Sequence, residues 1–294
     1  MSDFKPISLE DKPLFDDFLS QTPPETSELT FTNLFMWRRR YQPQWTIHAD
    51  CLVILFLDRP DVWRTFQPLG RGDVEKALAF AIEYLSTHFG HAAISRVGPS
   101  FAQKYASPHY EMIEDRDNSD YVYLAQDLIQ LPGNRFHKKK NLFNQFMKKY
   151  DFEYKEVDAA LAPELLQLQE SWCELKDCAS DESLLDEDHA IYQALKFMDV
   201  LKFRGAALMI QGRVAAFSFG EMLNPDTAVI HIEKGDPAFT GIYVAMNKLF
   251  CENAWSHVTY INREQDLGID GLRKAKQSYN PHHLVTKYTL IPRK

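Results

Sequence analysis

The sequence predicts a mixed α/β protein made of two domains with similar element order. Three observations carry that reading. The chain has 294 residues, 45% apolar and 25% charged, with 20 Phe, 13 Tyr and 5 Trp, which is material for two ordinary soluble cores. Short alternating or apolar runs interleave with longer runs of helical spacing along the whole chain. The order of these elements in the second half repeats that of the first, without visible repetition of sequence.

In the first half, residues 9–19 have helical spacing through Leu14, Phe15, Phe18 and Leu19. Residues 21–28, QTPPETSE, read as a loop. Residues 31–41 mix aromatics with Arg38, Arg39 and Arg40. Residues 45–48 and 51–57 form a hairpin that turns at Ala49-Asp50. Asp73 caps a helix that runs to Phe89, and Gly90 stops it. Residues 92–97, 110–113 and 121–124 are strands, with a short helix at 100–105.

Residues 134–150, NRFHKKKNLFNQFMKKY, carry six Lys and Arg residues and no acid. Phe136, Leu142, Phe143, Phe146 and Met147 give a helical apolar stripe, so this is a packed helix with a cationic face. It reads as the connection between a first domain at 1–133 and a second at 151–294. Cations near a helix start hold anions, which makes Arg135, Lys138, Lys139 and Lys140 candidate phosphate contacts. The alternative is a solvated surface helix.

The second half begins with a helix at 163–176, an acidic loop at 178–188 and a helix at 189–201. A hairpin at 205–210 and 214–221 turns at Gln211-Gly212. A strand at 227–233, a helix at 242–255, a strand at 258–262, a helix at 269–278 and a strand at 284–291 complete it. Strand alternation puts Val229, His231 and Glu233 on one face, an imidazole beside a carboxylate. Either group can take the proton of an attacking amine. The second strand ends in Asn262-Arg263-Glu264-Gln265-Asp266, and strand ends of this kind are where open sheets place ligands. Asn262 suits a carbonyl, and Arg263 a phosphate or carboxylate. The competing reading is a structural network in which Asp266 caps the next helix and Arg263 pairs with Glu233 or Glu264.

Several classes are excluded. There is no phosphate-binding Walker loop, GxSxG elbow, HExxH or dinucleotide fingerprint. Cys51, Cys173, Cys178 and Cys251 form no CxxC pair and read as reduced thiols. His282-His283 is an isolated pair, so no metal site is expected. The longest clean apolar run, residues 51–57, is too short to span a bilayer, and MSDFKPISLEDK is not a signal peptide. A cytoplasmic protein is expected. The net charge of −8 argues against a surface coated for nucleic acid, though not against a local basic site.

The phrases HIEKGD, GIY..MN..F, YINREQDLG and GLRKAKQSY.P, together with RFHKKKN at 135–141, resemble the C-terminal domain of phosphatidylglycerol lysyltransferases, and most closely its free-standing forms. The resemblance implies two tandem acyltransferase domains of the GNAT type, related to the Fem aminoacyltransferases. It implies central strands that part to admit the acyl arm, and a catalytic role for Glu233, His231 and Tyr279, the last protonating a leaving group; the alternative for Tyr279 is a packed aromatic. Donor contacts would come from Asn262, Arg263, Glu264, Asp266, Gly241, Asn247, Lys274, Lys276, Arg135, Lys138, Lys139 and Lys140. The implied donor is aminoacyl-tRNA, with no tightly bound cofactor. The acceptor is an amine or hydroxyl of a lipid, peptide or small molecule. Acyl-coenzyme A is the alternative donor, yet the loop KGDPAFTG at 234–241 keeps a single further glycine, Gly241, of the usual pyrophosphate wrap. A non-catalytic binding module is the third reading.

Overall fold

The computed structural model describes residues 4–105 and 108–293. The chain divides into two compact units. The first holds Met1–Asp120, Gln265–Gly268 and Val285–Lys294; the second holds Tyr121–Glu264 and Ile269–Leu284.

The first unit starts with β1 (Lys5–Pro6) and the helices α1 (Lys12–Gln21), α2 (Phe31–Met36) and α3 (Arg38–Tyr41). Strands β2 (Gln44–His48), β3 (Cys51–Arg59) and β4 (Val62–Thr65) follow, then α4 (Val74–Phe89), β5 (Ile94–Val97), α5 (Pro99–Tyr105) and β6 (Tyr110–Leu124). The hairpin turns where expected, with Ala49 and Asp50 both at positive φ, which matches strand twist. Asp73 accepts the Lys76 amide at 3.1 Å, and Gly90 ends α4 at φ +73°. That helix buries Ala77 and Ala81 with Cys51 and Val53, and Leu78 with Ile94 and Val97; Leu85 is buried too. The two expected strands at 110–113 and 121–124 are one continuous strand, β6. Its last four residues belong to the second unit.

In the second unit, α6 (Ala125–Gln130) and α7 (His137–Lys149) precede β7 (Phe152–Glu156). Next come α8 (Ala162–Lys176), α9 (Glu182–Lys196), α10 (Met198–Leu201) and the meander β8 (Arg204–Ile210), β9 (Arg213–Asn224) and β10 (Thr227–Gly235). Then α11 (Ile242–Ala254), β11 (Tyr260–Asn262), α12 (Asp270–Gln277) and β12 (His283–Pro292) close the chain. The expected acidic loop at 178–188 is largely helical, because Asp181 caps α9 by accepting the Ser183 amide at 2.9 Å. Strand β7 was not foreseen. It alternates aromatic Phe152 and Tyr154 with charged residues and adds an antiparallel edge to β8.

The two units repeat one another. From β1 to β6 and from β7 to β12 the order is strand, three helices, three strands, helix, strand, helix, strand. Pairing repeats too: three antiparallel steps, then a parallel step, β4 with β5 and β10 with β11. The terminal strands are exchanged. Within the first unit, β5 pairs with β12, Tyr288 opposite Val97 and Leu290 opposite Ile94. Within the second, β11 pairs with the end of β6, Tyr260 opposite Leu124 and Asn262 opposite Val122.

This exchange corrects the expected boundaries at 133 and 151. The break falls at 120/121, and the last strand completes the first unit. Helix α7 is not a connector. Its Phe146 is fully buried in the second unit's core, with Leu142 and Phe143 packed on it.

The first unit encloses an ionic cluster. The Lys287 ammonium donates to Glu28 and Asp120, both at 2.7 Å, and Asp120 also accepts from the Ser27 amide and hydroxyl at 2.8 and 2.9 Å. Arg96 lies 3.6 Å from the other Glu28 oxygen. Lys287 and Asp120 have no exposed surface. One further expectation changes: Cys173 and Cys178 form a disulfide, while Cys51 and Cys251 are buried thiols. Among the described residues no helix is long and apolar enough to cross a membrane.

Candidate active site

The site forms where β10 and β11 part. Their parallel pairing covers Thr227, Ala228 and Val229 opposite Tyr260, Ile261 and Asn262. Strand β10 then continues to Gly235, paired only with β9. Across the opening, two consecutive residues after β11 reach back to β10. Arg263 Nη2 donates to Glu233 Oε1 at 3.3 Å, and Glu264 Oε1 meets His231 Nδ1 at 2.8 Å.

These two ties lie on opposite faces of the sheet, which corrects the side-by-side placement of His231 and Glu233. Between Ile230 and Ile232 the register with β9 slips: Ile230 faces Gly220 and Ile232 faces Phe219, so His231 is an inserted residue. A bulge of this kind reverses the alternation beyond it. His231 stays with Val229 and Glu221. Glu233 turns to the α11 face with Gly235, whose backbone lies against Ile242 and Ala216.

His231 is a tie rather than a free base. Its other nitrogen meets Glu221 at 2.9 Å, and its side chain has no exposed surface. Burial alone would lower the imidazole pKa, but the hydrogen bonds to Glu221 and Glu264 outweigh it and push it up to about 9. The ring is therefore a cation held between two carboxylates, donating from both nitrogens. Glu264 sits at φ +58°, a conformation costly for a side-chain-bearing residue, and its amide donates to Asn262 Oδ1 at 2.8 Å. Asn262 is fully buried and shapes this turn.

The Glu233 face is more open. Glu233 Oε2 accepts from Asn247 Nδ2 at 3.1 Å, and 12% and 14% of the Glu233 and Arg263 side chains are exposed. The Arg263 guanidinium lies 4.7 Å from the Tyr279 ring centre and 5.7 Å from that of Tyr123. Two buried atoms here have no partner: Arg263 Nη1, a donor, and Asn247 Oδ1, an acceptor. Each costs about 1–3 kcal/mol if left so. Lys139 points inward, its ammonium 3.8 Å from the Tyr279 ring centre. Tyr279 is thus a buried ring that two cations share, and burial pushes its phenol pKa up, Arg263 opposing only in part. Lys276 donates to the Arg263 carbonyl oxygen.

Other candidates lie apart from this cluster. Asp266 belongs to the first unit; it accepts from Arg116 at 3.2 Å and from the Gly268 amide at 2.9 Å, and it does not cap α12. Arg135 pairs with Asp127, while Lys138, Lys140 and Lys274 are exposed. Gly241 is required by packing. Its φ is +85°, and a Cβ there would meet the Leu142 carbonyl oxygen at 2.6 Å. The loop before α11 is not an empty anion cradle. Its amides at 238 and 239 bond Asp236, that at 240 bonds the Tyr150 hydroxyl, and that at 242 bonds the Phe239 carbonyl. A groove of about 560 Å³ lies beyond, walled by Leu168, Trp172 and Leu175 of α8, Arg213, Val214 and Asp236. Sequence reading missed Tyr123, Glu221 and the inward turn of Lys139. The last was available: residue 139 is three and four positions before Leu142 and Phe143, on the buried stripe of α7.

A tandem acyltransferase-type fold with a polar cluster at parted parallel strands defines the class. The chain belongs to the family described as phosphatidylglycerol lysyltransferase, C-terminal, whose model matches residues 20–291. Among solved structures it is similar to a conserved protein of unknown function from Bacteroides thetaiotaomicron, at 33% identity over 100% of both chains and TM-score 0.93. It shares its fold with L-PGS from Bacillus licheniformis, at 15% identity, TM-score 0.68, covering 96% of this chain and 92% of that one. An uncharacterized protein from Mycoplasmoides gallisepticum is 24% identical over 175 residues; the match spans 58% of this chain and 55% of that relative's length. Family and fold together support an acyltransferase-like function.

Proposed function

We propose that this chain transfers an aminoacyl group from charged tRNA to an amine or hydroxyl of a lipid, peptide or small-molecule acceptor, at the Glu233–Arg263–Asn247 cluster. The observation that carries the proposal is the pair of unpartnered buried atoms beside Glu233. In acyl transfer the carbonyl oxygen becomes an oxyanion, and Arg263 Nη1 is a charged donor free to meet it. The incoming aminoacyl ester also brings an amino group, which Asn247 Oδ1 and Glu233 are suited to hold. The groove walled by Trp172 and Asp236 would receive the acceptor.

The engaged amides before α11 favour an ester donor over coenzyme A, since a pyrophosphate would have to displace Asp236 and Tyr150 from them. The cationic Lys138 and Lys140 on the outer face of α7 suit the phosphates of a single-stranded acceptor end. The test offers the protein radiolabelled aminoacyl-tRNA and, separately, labelled acetyl-coenzyme A, each with lipid vesicles, peptides and polyamines. Transfer from the tRNA that Glu233→Gln abolishes supports the reading. Transfer from acetyl-coenzyme A alone reverses it.

A further inference from the structure

Helix α7 carries three consecutive lysines, and the structure treats one of them differently. Lys138 and Lys140 are exposed, while Lys139 is half-buried on the stripe that continues through Leu142, Phe143 and Phe146 into the core. A lysine at a core-facing position ordinarily finds a carboxylate. Lys139 has none within bonding distance among the described residues; its ammonium lies 3.8 Å from the Tyr279 ring centre. The groups facing it are Arg263 after β11, Glu233 on β10 and Tyr279 after α12. Arg263, at 4.7 Å from the same ring, supplies a like charge, and Glu233 pairs with Arg263 at 3.3 Å.

We propose that Lys139 is the proton acceptor of this site, taking the proton of the attacking amine or hydroxyl and returning it to the leaving oxygen. This inference rests on the acyl-transfer reading above. The acceptor nitrogen or oxygen forms its bond to the acyl carbon while its proton passes to Lys139 Nζ. The resulting oxyanion is held by Arg263 Nη1. As the bond from the acyl carbon to the ribose oxygen breaks, the Lys139 ammonium gives that oxygen the same proton, so no co-reactant is consumed. Both oxygens of Glu233 are already engaged, by Arg263 and by Asn247, which leaves Glu233 to orient the reactants. Burial first, and the Arg263 charge second, bring the Lys139 amine down to about 8, with Glu233 opposing in part. A lysine so tuned is matched to proton transfer near neutral pH.

Competitive trace acetylation tests this on the unmodified protein. Limiting acetic anhydride is added over pH 6–11, and each lysine is read by peptide mass spectrometry. Lys139 should titrate with a midpoint of about 8, well below the ordinary lysine value of about 10.4. A Lys139 midpoint at the ordinary lysine value of about 10.4 overturns the proposal, whatever the protein transfers. With a working donor, Lys139→Met should lose at least about 100-fold in kcat with little change in KM. Lys139→Arg, which keeps the charge and the fold, should be equally impaired. Undiminished transfer by Lys139→Arg overturns the assignment and leaves the acyl-transfer reading standing. Absence of transfer from every ester donor, with the midpoint at 8, overturns that reading instead.

Discussion

The two repeats share an element order and differ in what they do with charge. In the first, Lys287, Glu28, Asp120 and Arg96 are sealed inside, each 6% exposed or less, and β4 ends at Thr65, the residue that pairs with β5. In the second, β10 runs six residues past its pairing with β11, and Glu233 and Arg263 keep partly exposed side chains. One scaffold thus serves two ends. Where the charges are shut away from water they specify a core, and where they stand partly exposed at a parted sheet they suit a ligand.

The largest expected effect tests the sealed repeat. Lys287→Met takes away the ammonium that Glu28 and Asp120 share, leaving Arg96 beside Glu28, and removing one partner of a buried pair costs about 3–5 kcal/mol. Urea unfolding measures it. Arg263→Met in the open repeat should cost clearly less, and equal losses would erase the contrast between the repeats.

The His231 tie comes next. Its folded pKa of about 9 exceeds the unfolded value of about 6.5, so the tie stabilises fully below pH 6.5 and is lost as pH rises through 9. Over that window the wild type should lose about 3 kcal/mol more than His231→Gln does. Parallel pH–stability curves for the two proteins would show that His231 is neutral in the fold.

Smaller in stability but decisive for function, Glu233→Gln should change unfolding free energy by no more than about 1 kcal/mol, because the site is partly solvated. Its transfer rate should fall at least about 100-fold through lost alignment. A normal rate would move the reaction elsewhere. The smallest effect concerns the outer face of α7. Changing Lys138 and Lys140 together to Ala should alter stability by under about 0.5 kcal/mol, yet flatten the salt dependence of charged-tRNA binding by roughly 1.4 in log–log slope. An unchanged slope would remove these lysines from the tRNA contact.

Much of this architecture was legible in the residues. Asp73 and Gly90 announced the ends of α4, Ala49-Asp50 and Gln211-Gly212 the hairpins, and NREQDLG the strand end that holds the site. Local chemistry decides such features, so local reading finds them. The bulge at His231 was not legible, because a slip of one residue against β9 leaves the apolar pattern of β10 unchanged while turning Glu233 over. The domain boundary was missed for a related reason. The partner of Tyr288 is Val97, and no pattern within 284–291 says which distant strand it will join. The disulfide depended on how the end of α8 turns toward Cys178, with Asp177 at φ +53°, a backbone detail that spacing alone does not specify.

The exchanged strands also set an order in time. A ribosome releases the first repeat early, but β12 and Lys287 emerge only after α12 of the second repeat. Until they arrive, Glu28 and Asp120 lack the Lys287 ammonium that both contact, and β5 has an open edge. The second repeat receives the end of β6 before its own synthesis begins, so it lacks nothing when its turn comes. The half translated first is therefore the half completed last, and a nascent chain paused before residue 285 leaves the β5 edge unpaired.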